Sequence, residues 1–153
     1  FASRSSQRVS LARSSGLDVA VIDHLLGRYG GMIDEVLGLV ADNPALGESL
    51  VGAPGYLAAE VVYAASHEGA RHLDDVLTRR TRISIETPDR GISAALPSAR
   101  LMADVFGWDD DRLREEVDHY LRRVEAERQS QLELTDRAAD EARVSAPEGP
   151  WNV

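Results

Sequence analysis

The residues with most chemical capacity sit together in one stretch, His67-Glu68-Gly69-Ala70-Arg71-His72. Two imidazoles and a carboxylate within six positions raise a metal site first. A zinc-protease helix needs His at i and i+4, where one face presents both nitrogens to one ion. Here the second imidazole is at i+5, about 500° around a helix and so roughly 140° from the first. Position i+4 is Arg71, which repels a cation, and Gly69 weakens any helix joining the pair. The spacing predicts two partly exposed histidines near a helix junction, with no metal bound.

Nucleophilic chemistry is also poorly supplied. Ser66, His67 and Glu68 are neighbours, whereas a catalytic triad converges from separate elements and adjacent helical side chains diverge by about 100°. With no cysteine there is no disulfide, thiolate ligand or thiol nucleophile. All 17 basic residues are Arg, which removes the lysine of a phosphate loop or a Schiff base. There is no G-x-G-x-x-G fingerprint and no G-x-S-x-G elbow. What remains is a set of carboxylates, Glu60, Glu68, Asp74 and Asp75, close in sequence to Arg71, Arg79, Arg80 and Arg82. Such groups can serve as an acid–base pair or an anion site, and equally as ion pairs and helix-end charges. Arg is also frequent at interface hot spots. Arg79, Arg80 and Arg82, with Glu60, Glu68 and His67, are the candidate docking or junction residues.

The elements that must position these groups are helical. In 153 residues 43% are hydrophobic, enough for one core, and only 5% are aromatic, so that core is built from Leu, Val, Ile and Ala. The net charge of −9 disfavours nucleic acid and anionic membrane as partners, and no apolar run approaches the ~20 residues that span a bilayer. Leu17, Val21 and Leu25 recur every four residues before Tyr29-Gly30-Gly31 breaks the helix. Ile33, Val36, Leu37 and Val40 share one helix face, which Asn43-Pro44 ends. Residues 47–55 read as a loop. A helix is predicted from Tyr56, with Leu57, Val61, Ala64 and Ala65 as one stripe and Tyr56, Glu60, Tyr63 and His67 as a second, ending at Gly69. A short helix through Leu73, Val76 and Leu77 follows, and the β-branched run Thr81 to Ile85 is predicted to be extended. Helical pattern returns from Gly91 to Phe106, started or kinked by Pro97 and closed by Gly107. Asp109 to Asp111 cap a last helix carrying Leu113, Val117, Tyr120, Leu121 and Val124.

The expected fold is all-α, a small bundle of five or six helices with a polar C-terminal tail. Residues 1–16, with three Arg, six Ser and no acid, read as a linker or remnant, with a transit-peptide composition as the alternative. Residues 17–128 form the helical domain, and 129–153 a polar helical extension or disordered tail.

Several separated motifs occur in one order: Arg28-Tyr29-Gly30, Ala59 to Ala64, His67-Glu68-Gly69-Ala70, Leu73 to Leu77, Arg79-Arg80-Thr81-Arg82, Asp89-Arg90-Gly91 and Leu101-Met102 to Gly107-Trp108-Asp109. Over residues 20–128 the chain resembles the carboxyl-terminal cap domain of FAD-dependent glycerol-3-phosphate dehydrogenases, actinobacterial ones most. The resemblance implies a full enzyme that oxidises sn-glycerol 3-phosphate to dihydroxyacetone phosphate, with FAD taking the hydride and electrons passing to quinone, or to oxygen in related oxidases. It implies that the flavin fold and the catalytic residues lie in an amino-terminal part, so this fragment itself carries no catalytic, cofactor-binding or metal residue and no cofactor. The implied partner is the amino-terminal FAD domain of the same polypeptide, with a homo-oligomer beside it. The implied location is cytoplasmic, with the full enzyme peripheral at the inner face of the membrane. Residues 1–16 depart from the family's usual approach to this domain, and His72 stands where Thr or Ser usually caps the following helix. Two other readings stay open, an autonomous helical protein-interaction module and a small helical enzyme taking an anionic substrate on its Arg cluster.

Overall fold

The computed structural model describes residues 2–132 and residue 144. Among them are seven α-helices: α1 (Ala2–Ser15), α2 (Val19–Tyr29), α3 (Ile33–Asp42), α4 (Ala58–Ser66), α5 (Ile83–Glu86), α6 (Ile92–Phe106) and α7 (Asp110–Leu132). A two-stranded antiparallel ribbon, β1 (Ser49–Leu50) and β2 (Ala53–Leu57), precedes α4. The mostly helical bundle is as expected, with seven α-helices among the described residues where five or six were expected. Residues 133–153, apart from 144, lie outside the described residues, and with them most of the expected tail; α7 itself runs past Arg128 to Leu132.

α4 is the hinge of the packing. Of its nine residues, six are buried, because it has a core on each side. Val61, Ala64 and Ala65 pack with Leu73, Val76, Leu77, Ile83, Ala94, Ala99, Met102 and Tyr120. Ala59 and Tyr63 pack with Ile22, Leu25, Ile33, Val36 and Val40 from α2 and α3. The two stripes predicted for this helix are therefore both interior as far as Ala65, while His67, at the end of the second, is exposed. Its alanines let the neighbouring helices approach closely, and each fully buried Leu, Ile or Val contributes about 1.5–3 kcal/mol.

Three local expectations give way to tertiary context. Tyr56 does not start the helix. It stays in β2, and α4 begins after Leu57, whose N–H donates to the Glu60 carboxylate at 2.8 Å. Residues 81–85 are not extended. Thr81 closes a π-helical turn over Asp75–Arg80 by donating its N–H and hydroxyl to the Val76 carbonyl, and Arg82 then accepts from Ile85 and Glu86 to open α5. With no strand alongside to pair, β propensity has nothing to act on. The opening segment, expected as a linker, is helical from Ala2 to Ser15. Leu11 and Ala12 pack on the α2–α3 core, and Arg8 pairs with Asp23 of α2.

Pro97 lies inside α6 rather than at its start. Lacking an N–H, it leaves the carbonyl of Ser93, four residues back, without its helical donor. Gly52, at the tip of the ribbon, lies against that same residue: a Cβ there would sit 2.4 Å from the Ser93 carbonyl carbon and 2.6 Å from its oxygen. The approach needs glycine, as does its φ of +84°.

Candidate functional site

The centre of the polar structure is Glu60, on α4, with none of its surface exposed. Its carboxylate meets His24 Nε2 at 3.0 and 3.1 Å and accepts from the Tyr29 hydroxyl at 3.2 Å and from the Leu57 N–H. The Arg28 guanidinium lies beside it, Nε to Oε1 3.2 Å, and spans the Tyr56 ring at 5.1 Å. Arg28 also donates to the Arg80 carbonyl. One buried anion thus ties α2, the start of α4 and, through Arg28, the end of the π-helical turn. Every oxygen is occupied, which is what a buried charge requires.

The aromatic neighbours extend this cluster. Tyr29 meets Tyr63 edge-on, Tyr63 stacks on His67, and the Tyr63 hydroxyl donates to Glu35 of α3 at 2.9 Å. Burial pushes the Tyr29, Tyr56 and Tyr63 hydroxyls above the ordinary tyrosine range, so they remain neutral donors. Ser66 and His67 do touch, Oγ to Nδ1 2.7 Å, because His67 has left the helical line. Yet the Ser66 hydroxyl donates to the Val62 carbonyl at 2.7 Å, so His67 must be the donor to it. A base would have to accept that proton. The contact is a helix ending, not an activated nucleophile. Glu68 Oε2 is buried without a hydrogen-bond partner among the described residues.

His72 belongs to a different cluster. Its Nδ1 meets Glu116 of α7 at 3.0 Å; Glu116 also accepts from the Leu73 N–H at 3.0 Å and from Arg112 at 2.6 Å. Glu116 is 1% exposed. Here a carboxylate 43 residues away in sequence supplies the cap that a Thr or Ser at position 72 would give. Asp75 adds acceptance from the Arg71 and His72 N–H groups. The two histidines of the opening stretch thus have separate surroundings, His67 against Ser66 and the Tyr63 ring and His72 against Glu116.

The sequence pairing of carboxylates with the local arginines holds only for Asp75 with Arg79, at 3.3 Å. Asp74 pairs instead with Arg123 of α7 and accepts from Thr78, and Glu60 takes Arg28. Arg79, Arg80 and Arg82 are all exposed. Arg82 has φ +64°, a left-handed backbone that costs an L-residue roughly 1–2 kcal/mol. Of the expected site, Glu60 is a buried hub, His67 and Glu68 lie at the end of α4, and the three arginines form an outward face. His24, Arg28, Tyr29, Glu35 and Glu116 were not singled out as site residues from sequence.

A groove of about 510 Å³ runs between the ribbon and the segment after α5, lined by Gly52 to Tyr56 and by Glu86 to Asp89. Tyr56 donates to Glu86 across it at 2.5 Å. Hydrogen bonding from Ser93, then from Thr87 and Gly91, holds the Asp89 carboxyl down at about 2, so it stays anionic. A flavin dinucleotide does not fit these residues: its pyrophosphate needs cations or free backbone N–H groups, and this groove offers two carboxylates.

Residues 2–113 match the family model described as the C-terminal domain of alpha-glycerophosphate oxidase, and this range includes the segment read as a linker. The chain is 48% identical over 133 residues to glycerol-3-phosphate dehydrogenase 2 of Mycobacterium tuberculosis, covering 87% of this chain and 23% of that protein. It is 46% identical over 143 residues to glycerol-3-phosphate dehydrogenase of Mycobacterium leprae, covering 94% and 24%. To glycerol-3-phosphate dehydrogenase of Synechocystis it is 33% identical over 99 residues, 65% of this chain and 18% of that one. The chain spans about a quarter of the length of the mycobacterial relatives it matches. No solved structure matches it.

Proposed function

This chain belongs to the family of C-terminal domains of alpha-glycerophosphate oxidase, and on that premise we propose that it is the non-catalytic helical cap of an FAD-dependent glycerol-3-phosphate dehydrogenase. The observation that carries the reading is the match over residues 2–113 combined with a span of about a quarter of the relatives' length. In the proposed full enzyme, FAD bound by the amino-terminal part oxidises sn-glycerol 3-phosphate to dihydroxyacetone phosphate and electrons pass to quinone. The cap supplies a preformed surface. Among the described residues, Glu60, Asp74 and Glu116 are buried carboxylates engaged in holding the chain's own helices together. No helix among the described residues is long and apolar enough to cross a membrane; membrane contact in this reading is peripheral and made by the full enzyme.

Arg79, Arg80 and Arg82 are the proposed docking residues toward the flavin domain. Arg80→Ala, compared in this chain and in the full polypeptide, tests that role. Among the described residues the Arg80 side chain is exposed, and what Arg28 holds is its backbone carbonyl. The isolated chain should therefore melt as wild type does, while the full enzyme loses flavin faster. Unchanged melting with unchanged flavin retention rules the docking role out.

A further inference from the structure

Among the non-glycine described residues, two have left-handed backbones, Arg82 at φ +64° and Arg90 at φ +58°. The molecule treats them differently. Arg90 is held from three directions: its carbonyl accepts from the Tyr120 hydroxyl at 2.7 Å, and its guanidinium reaches Glu127 at 3.2 Å and Gln131 at 2.6 Å. Those contacts account for an arginine there. Arg82 has only its backbone engaged, its carbonyl accepting from Ile85 and Glu86 at the start of α5. Its side chain is exposed and makes no hydrogen bond or ion pair among the described residues. A turn that needs only a left-handed backbone is better served by Gly or Asn. An arginine kept in that conformation, with no use inside the fold, is one whose guanidinium is presented outward.

Its surroundings fix where it points. Thr81 and Ile83, on either side, are fully buried, so the segment is pinned to the core and the guanidinium projects from a rigid base. Arg80, two positions earlier, is also exposed and also without a side-chain partner among the described residues, and Arg28 holds its carbonyl. Two preorganised cations in a chain of net charge −9 favour a discrete anionic group over an extended anionic plane, which would meet the whole acidic surface at once.

We propose that Arg82, with Arg80 two positions before it, takes a surface carboxylate on the preceding part of the same polypeptide, and that its strained backbone serves to present the guanidinium to that partner. The proposal rests on the cap reading above. A planar guanidinium and a carboxylate can pair through two parallel hydrogen bonds, which sets the angle of the cap as well as its hold.

The test compares hydrogen–deuterium exchange of residues 79–86 in this chain alone and in the full polypeptide, without lipid. Three variants accompany wild type: Arg82→Gly, Arg82→Lys, and Arg100→Ala, which removes the same charge from an exposed position on α6. The full wild-type polypeptide should protect residues 79–86 beyond the isolated chain. Arg82→Gly should reduce that protection about tenfold, as one hot-spot arginine does, and Arg82→Lys should fall between. Arg100→Ala should change nothing, and Arg82→Gly should melt no lower than wild type as the isolated chain. A full polypeptide that holds no flavin, or protects no part of this chain, defeats the cap reading and this proposal together. Protection gained elsewhere but not at 79–86, an Arg82→Gly variant as protected as wild type, or an equal loss in Arg100→Ala defeats this proposal alone. So does protection that appears only when vesicles of anionic phospholipid are added, or a lower melting temperature of isolated Arg82→Gly.

Discussion

Replacing Glu60 by Gln keeps the volume of the side chain and removes its charge. The consequences follow from its partners. Arg28 and His24 lose their anion, the Leu57 N–H loses a charged acceptor, and the new amide brings two donors into a pocket already filled with donors. Breaking a buried ion pair by removing one member costs about 3–5 kcal/mol. The lower end applies here, because Arg28 and His24 keep 20% and 29% of their side-chain surface exposed and recover some hydration. We therefore expect Glu60→Gln to lose about 3 kcal/mol, which in a domain of this size lowers the melting temperature by about 6–12 °C. Urea unfolding followed by circular dichroism reads the free energy directly, and a calorimetric scan reads the temperature. The control is Glu68→Gln, whose Oε2 is buried with nothing to accept from among the described residues; neutralising it should leave stability unchanged or raise it. A Glu60→Gln loss of less than about 1 kcal/mol, the range of a surface ion pair, would refute the assignment of Glu60 as the hub of the α2–α4 junction.

Gly52→Ala places a methyl 2.4–2.6 Å from the Ser93–Ala94 backbone at φ +84°, and should cost about 3 kcal/mol by denaturant unfolding; a loss under 1 kcal/mol would mean the ribbon does not seat on α6. Burial raises all four tyrosines, 29, 56, 63 and 120, above their ordinary value of 10.0. A group raised in the folded state stabilises it fully below its unfolded pKa and loses that contribution as pH climbs toward the folded value. Ultraviolet titration should accordingly show Tyr29, Tyr56 and Tyr120 un-ionised in the folded protein at pH 10, with their ionisation above that coinciding with unfolding; any of these three titrating near 10 while folded contradicts this. Asp89, held down to about 2, works in the opposite sense: its contribution is present above about pH 4 and fades as pH falls to 2. The stability gap between wild type and Asp89→Asn should close over that window, and a gap constant from pH 5 to 2 would refute it.

The helices were legible where one local period decides them. Ile33, Val36 and Val40 are buried as their spacing requires, and Gly30 and Gly107 end their helices with positive φ. The stripe Tyr56, Glu60, Tyr63 and His67 was legible as a face, and its residues do line one polar cluster. What faces them was not. His24, Arg28 and Tyr29 lie 31–36 positions from Glu60, and Glu116 lies 44 from His72. Periodicity carries no information at that range. Asp74 was matched to the nearest arginines in sequence, whereas α7 folds back and offers Arg123. The run from Thr81 to Ile85 misled because its β-branched side chains are used as core, with Thr81 and Ile83 fully buried, and no neighbouring strand competes for the backbone. The left-handed state of Arg82 has no signature in its residue type.

The central claim is that these helices spend their polar groups on one another and leave the redox cofactor to another part of the polypeptide. Titrating FAD with the purified 153-residue chain and following flavin fluorescence anisotropy tests it most directly. The anisotropy should stay at the value of free FAD at every protein concentration. A saturable rise, abolished by excess unlabelled ADP-ribose or by Glu60→Gln, would place a cofactor site in this chain and contradict the account.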